Sequence, residues 1–288
     1  MAHGALVLAG GGSVGIAWEL GYLAGLEEST PELMQHVRAT STTYVGTSAG
    51  SVVSTMLASG LPVAQLLQPE LDSPTTAAGG RQRSIWGIAK IATAMVTSRV
   101  GAKSPEDGRK RIGAFATRAQ VGNEADWVAA IASRLPEREW PERRLLITAV
   151  DVDSGEFRVF DRDAGVDLAS AVAASCAVPG IFPPVTIDGH RYMDGGMRSV
   201  ANADLTAGSD PVLVLVPMRE GGPGIGSVSP GELDVIKQSR SRVVYADAES
   251  VRAFGRNPLS TTTRAESARA GFRQGQKQAA GLTEHLGW

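Results

Sequence analysis

Cysteine is almost absent from this chain. A single Cys176 among 288 residues excludes an internal disulfide framework and any cysteine-rich metal site. Histidine is nearly as scarce: His3, His36, His190 and His285 are scattered and never stand at metal-ligand spacing. No apolar run approaches the ~18 residues of a membrane span. The start, Met1-Ala2-His3-Gly4, lacks the basic region of a signal peptide. These absences predict a soluble, cytoplasmic chain without a metal or other cofactor. Charge of one sign is lacking too. Lys plus Arg is 28 against 30 for Asp plus Glu, a net charge of −2, so there is no basic excess for nucleic acid.

What is present is a core and much glycine. Hydrophobic residues make up 43% of the chain, enough to exclude disorder throughout. Glycine is 34 of 288 residues, about 12% against a usual ~7%. It has no collagen-like period, so tight turns and close backbone approaches are expected.

The pattern of elements opens as β-α-β-α. Residues 5–9 form a glycine-bounded apolar run suited to a buried parallel strand. Ile16, Leu20, Leu23 and Leu26 give a helix over 15–28, residues 43–46 a second strand, and 48–58 a second helix. This alternation predicts a layered α/β sheet. Residues 68–83 read as loop, 85–97 as a helix with basic flanks, and 101–111 as turn-rich. Helices are expected near 124–134 and 167–175. Strands are expected at 145–152 with a hairpin partner at 157–160, and at 211–216. Residues 185–187 and 191–193 make a hairpin about Asp188-Gly189. Residues 230–254 and about 263–281 read as helices. No repeat and no long linker appears, so one domain over 1–288 is expected.

Three motifs carry chemistry. Gly46-Thr47-Ser48-Ala49-Gly50 is a G-x-S-x-G sequence between a predicted strand and a predicted helix. Such a turn lifts the serine out of the sheet edge, and flanking glycines avoid a Cβ clash with neighbouring backbone. The helix N-terminus behind Ser48 supplies unpaired N–H groups, that of Ala49 among them, to a developing anion. The second motif, Gly10-Gly11-Gly12-Ser13-Val14-Gly15, matches G-x-G-x-x-G in form. A dinucleotide site would need a carboxylate at the end of the second strand, and Val45-Gly46-Thr47 has none. A phosphate loop would need Gly-Lys-Ser/Thr, and Ile16-Ala17 comes after Gly15. The favoured reading is an oxyanion hole, with Gly11, Gly12 and Ser13 aiming N–H groups at a carbonyl held by Ser48. The third motif is Asp194-Gly195-Gly196, directly after a predicted strand.

Together these motifs resemble the patatin-like phospholipase family over about residues 5–205. Ser175-Cys176-Ala177-Val178-Pro179-Gly180-Ile181-Phe182-Pro183-Pro184 also resembles the family's segment before its Asp-Gly-Gly. The resemblance implies a three-layer α/β fold with a mostly parallel central sheet and a C-terminal helical extension over about 220–288. It implies a serine lipid acyl hydrolase, a phospholipase or lysophospholipase or a neutral-lipid esterase. Ser48 would be the nucleophile and Asp194 the base. Gly10, Gly15, Gly46, Gly50, Gly195 and Gly196 are the motif glycines. Many family members carry Arg or Lys where this chain has Val14, which points toward a neutral ester.

The same residues allow alternatives. An α/β-hydrolase triad would use Ser48, then Asp151 or Asp153, then His285. A nucleotide-binding protein would use the 10–15 loop, and a non-catalytic lipid binder would use neither. Cys176 reads as a small buried thiol, and Asp151 with Asp153 as a hairpin turn. The 85–97 helix reads either as core or as a lid resting on a membrane surface. Arg264, Arg269, Arg273 and Lys277 form a basic, solvated helix face.

Overall fold

The computed structural model describes residues 3–74, 93, 97–98, 100–119, 121–221 and 227–287. Most of the expected 85–97 helix lies outside the described residues.

The apolar run Ala5–Leu8 is strand β1, and its four residues are all buried. It leads into α1, Gly12–Ser29, which starts inside the glycine run, earlier than its apolar spacing suggests. Helix α2, Pro31–Val37, precedes β2, Thr43–Gly46, and α3, Ala49–Ala58. Helix α4 spans Val63–Leu71, so the start of the expected 68–83 loop is helical. It turns Leu66, Leu67 and Glu70 inward. Helix α5, Pro105–Arg118, occupies a stretch expected to be turns. Its start is a Ser-Pro-Glu-Asp signal in which Ser104 caps the Asp107 N–H. Helix α6 spans Glu124–Ala132.

Strands β3, Leu145–Asp151, and β4, Phe157–Phe160, form the expected hairpin. After α7, Leu168–Ser175, come β5, Val185–Ile187, and β6, His190–Asp194, about an Asp188-Gly189 turn with both φ positive. Strand β7 is Val212–Val216. The expected 230–254 helix is broken into α8, Pro230–Ile236, strand β8, Ser241–Tyr245, and α9, Ala248–Phe254. The Val243-Val244-Tyr245 run favours a strand, and β8 finds a parallel partner in β7. The C-terminal part is therefore not purely helical. Helix α10, Arg264–Leu286, ends the fold.

Among the described residues eight strands make one sheet with neighbours in the order β5-β6-β3-β2-β1-β7-β8, and β4 also pairs with β3. The pairs β1–β2, β1–β7, β2–β3 and β7–β8 are parallel. Alternate side chains enter two cores. Leu6, Leu8, Leu213 and Leu215 pack with α1 on one face. Val7, Val45 and Val214 pack on the other face with Val200, Ala203 and Ile236. This is the three-layer, mostly parallel α/β architecture expected. Helix α1 lies between the sheet and α10, where Gly21, Gly25, Gly271 and Gly275 let two backbones touch; a Cβ at Gly25 would stand 2.9 Å from the Gln276 nitrogen.

Strand β3 has three partners but only two edges. Strand β4 pairs along Ile147–Val150, overlapping both β2 at Ile147 and β6 at Ala149–Val150. Strands β2 and β6 therefore share the opposite edge of β3 and approach each other end to end. The residues just past Gly46 and those that end β6 meet there.

Candidate active site

Ser48 stands at that junction. Gly46 is opposite Ile147 and Asp194 opposite Ala149, so two residues past Gly46 brings Ser48 level with Asp194. On the other side Leu8 is opposite Gly46, which brings Gly10 to the same height; a Cβ on Gly10 would lie 3.4 Å from that of Ser48. Three motifs far apart in sequence are thus gathered by register alone.

The backbone at Ser48 is in a region side chains rarely enter, with φ 53° and ψ −117°. Neighbouring side chains hold it there. The Ser48 N–H donates to Ser175 Oγ at 2.9 Å. Its carbonyl accepts from Ser51 Oγ at 2.6 Å and from the Cys176 thiol at 3.1 Å. Beneath the turn, Thr47 Oγ1 lies 2.9 Å from Thr148 Oγ1 and accepts from Asn202 Nδ2 at 3.0 Å. The Asn202 amide also donates to the Ser199 carbonyl at 2.8 Å. Close packing explains the flanking glycines: a Cβ on Gly46 would come within 2.6 Å of Ser51 Cα, and one on Gly50 would strike the Leu8 carbonyl.

Asp194 is buried, and it lines the same cavity as Ser48. Its Oδ1 accepts the Gly196 N–H at 2.7 Å. Burial raises its pKa from 3.8 to about 7, and the Ser48 hydroxyl and the Gly196 N–H oppose the rise. Cys176 is buried and free, and burial pushes its thiol up to about 12.

The glycine loop faces the same space. The Gly10 N–H is taken by the Val200 carbonyl, the Val14 N–H by Pro258 at 3.1 Å, and the Gly15 N–H by Gly11. Among the described residues the N–H groups of Gly11, Gly12, Ser13 and Ala49 have no acceptor. These donors, Ser48 and Asp194 line a cavity of about 1030 Å³ whose walls are mainly apolar. Trp127 and Phe182 stack at 3.7 Å on one side, and the Asn257–Thr262 segment forms another.

Other candidates lie elsewhere. His285 Nε2 is bonded to the Ser241 carbonyl at 2.9 Å, and among the described residues no histidine lines the cavity. Asp151 Oδ1 accepts the Asp153 and Ser154 N–H groups of the β3–β4 turn, and its Oδ2 lies 3.3 Å from His190. The triad of Ser48, Asp151 or Asp153, and His285 is not assembled. Among the described residues no group of three or more His, Cys, Asp and Glu side chains is placed to hold a metal, and no helix is long and apolar enough to cross a membrane. On α10, Arg264, Arg269 and Arg273 pair with Glu70, Glu266 and Glu249.

Sequence reasoning does not single out the side chains that hold Ser48, namely Ser175, Ser51 and Asn202. It also misses the 257–262 wall and Arg134 in the cavity. Ser175 begins the segment that precedes Asp-Gly-Gly, but nothing in its neighbours marks its hydroxyl as an acceptor for a nitrogen 127 positions away.

The family model for patatin-like phospholipase matches residues 6–207. The chain belongs to the patatin-like phospholipase family. Among solved structures, VipD from Legionella pneumophila is 14% identical with a TM-score of 0.44, over 97% of this chain and 67% of that one. The type III effector ExoU is 20% identical with a TM-score of 0.45, over 99% of this chain. The ExoU–SpcU complex from Pseudomonas aeruginosa gives 16% identity and a TM-score of 0.42, over 100% of this chain and 52% of that one. The chain spans about half the length of ExoU, 54% in the first comparison. No curated protein matches the chain significantly.

Proposed function

We propose that this patatin-like protein hydrolyses lipid acyl esters through an acyl-enzyme on Ser48, with Asp194 as the only protein base. The observation that carries this reading is the placement of Ser48, on its strained turn, level with a buried Asp194 in a cavity where, among the described residues, four backbone N–H groups lack acceptors. Ser48 Oγ attacks the ester carbonyl carbon as its proton passes to the Asp194 carboxylate. The carbonyl oxygen takes the negative charge and is held by N–H groups of Gly11, Gly12, Ser13 or Ala49. Asp194 then gives its proton to the departing alcohol, leaving the acyl group on Ser48. A water loses a proton to Asp194, attacks that ester and releases the fatty acid. The proton returns to Ser48.

A base is most useful when its pKa lies near the working pH. A carboxylate raised to about 7 meets that condition without a histidine. The apolar walls suit an acyl chain.

The test is labelling with a fluorophosphonate probe and mapping of the modified residue. Ser48 is expected to carry the label, and Ser48→Ala to abolish both labelling and p-nitrophenyl ester hydrolysis in a folded protein. Label on another serine, or activity in Ser48→Ala above a few per cent, overturns the assignment.

A further inference from the structure

The cavity contains a cation that the hydrolytic steps do not use. Arg134, just beyond α6, lines the cavity, with about 30% of its side chain exposed. Its Nη2 donates to Glu70 Oε1 at 3.0 Å. Glu70 is buried on α4 and holds a second cation, since Arg264 of α10 bonds its other oxygen. Two guanidinium groups share one carboxylate, so the cluster keeps a net charge of +1. Arg264 does not line the cavity, and Arg134 is the member of the cluster exposed to it. Among the described residues the Arg134 side chain forms no hydrogen bond other than that to Glu70, so its remaining guanidinium N–H groups are open to a ligand.

The place of this charge matters. Arg134, Ser48 and Cys176 line the same cavity, and the Cys176 thiol is bonded to the Ser48 carbonyl. The cation therefore faces the space into which the nucleophile opens. Among the described residues the other charged residues lining the cavity, apart from Asp194, are Asp126 and Arg219, and both are exposed to solvent. The glycine loop brings no cation of its own: it carries the apolar Val14, whose N–H is already bound to Pro258.

Resting on the Ser48 hydrolase reading, we propose that Arg134, held by Glu70 and Arg264, is a specificity-determining residue that selects esters whose alcohol part carries an anionic group such as a phosphate. Acyl chains are apolar, which leaves the alcohol side to bring the charge. Guanidinium groups recognise phosphate through paired N–H donors and keep their charge at every working pH. This reverses the expectation of a neutral substrate drawn from Val14: the cation has come from beyond α6 and not from the loop.

The experiment compares two esters with the same acyl chain and the same glycerol, 1-decanoylglycerol and 1-decanoylglycerol 3-phosphate, both as monomers in solution at pH 8. The readout is the ratio of kcat/KM for the phosphate ester to that for the neutral ester. Measured in one preparation, it does not depend on how much protein is folded. Wild type is expected to favour the phosphate ester. Arg134→Gln should lower the ratio roughly 10- to 100-fold, the worth of a charge-assisted hydrogen bond, and Arg134→Lys should keep the preference. An unchanged ratio in Arg134→Gln, or no preference in wild type while the neutral ester is hydrolysed through Ser48, overturns this inference alone. Hydrolysis of the neutral ester that survives Ser48→Ala overturns the hydrolase reading beneath it.

Discussion

An aspartate in water, with a pKa near 3.9, is too weak a base to activate a serine well at neutral pH. The sequence displays Asp194 but not its burial, so this difficulty is visible in the sequence and its resolution only in the fold. With the pKa raised to about 7, the ionised form needed for catalysis builds up only as pH passes neutrality. The expected kcat/KM profile rises with pH and levels off above a midpoint near 7. A profile already flat from pH 5 would show that another base acts. The same shift has a thermodynamic consequence. The folded state keeps its Asp194 proton up to about pH 7, whereas the unfolded chain loses it near 3.8. Stability from this group is fully present below 3.8 and is lost as pH rises to about 7. Asp194→Asn should lose activity by several orders of magnitude, because an amide cannot take the proton. At pH 8 it should be more stable to denaturant than wild type, by an amount on the order of a few kcal/mol. Lower stability of the variant at pH 8 would mean that the carboxylate holds the turn together. Glu19 is a parallel case: it is wholly buried in α1, and burial raises its pKa well above 4.5 against the opposing pull of the Ala9 backbone.

At the scale of elements, the motif-bearing turns are the most legible part of the chain. Glycine-bounded apolar runs such as 5–9 leave little choice but a buried strand, and the hairpins about Ser154 and Asp188 carry strong turn residues. What is hidden depends on partners distant in sequence. Strand β8 reads as part of a long helix because short apolar runs fit either period, and it is β7 that decides the matter. The wall at 257–262 has no motif at all, yet it touches the glycine loop. Gly12 has φ +67°, and a Cβ there would stand 2.6 Å from the Pro258 carbonyl oxygen. Gly12→Ala should push the loop and this wall apart and misdirect the open N–H groups. A fall in kcat of about 10²-fold with little change in KM is expected, comparable to losing one oxyanion donor. A change in KM alone would make the loop a packing surface for substrate.

On the scale of the whole molecule, the family match ends at residue 207, yet the fold depends on residues beyond that point. Strand β1 pairs with β7 from Ala5 to Leu8, so removal of β7 leaves the strand that carries the glycine loop as an open edge. Helix α1, buried from Val14 to Leu26, loses its outer cover. Trp18 is wholly buried; its Nε1–H donates to Ser250 Oγ at 3.0 Å, and its ring meets Phe254 edge-on at 6.5 Å. Tyr22 donates to Gln278 at 2.8 Å. Returning such side chains to water costs about 1.5–3 kcal/mol each, and several together match the ~5–15 kcal/mol that holds an ordinary domain folded. A chain cut after Ala207 retains Ser48, Asp194 and all three motifs, but it should not fold. It is expected to give an unfolded circular dichroism spectrum or to aggregate, and to take no fluorophosphonate label. A soluble, folded and labelled 1–207 fragment would show that the matched segment forms its own core, and that β7, β8 and α10 only adjust the cavity. The contacts oppose that outcome, because the Val14 N–H, the Gly12 surface and the Glu70 cluster all depend on residues between 258 and 264.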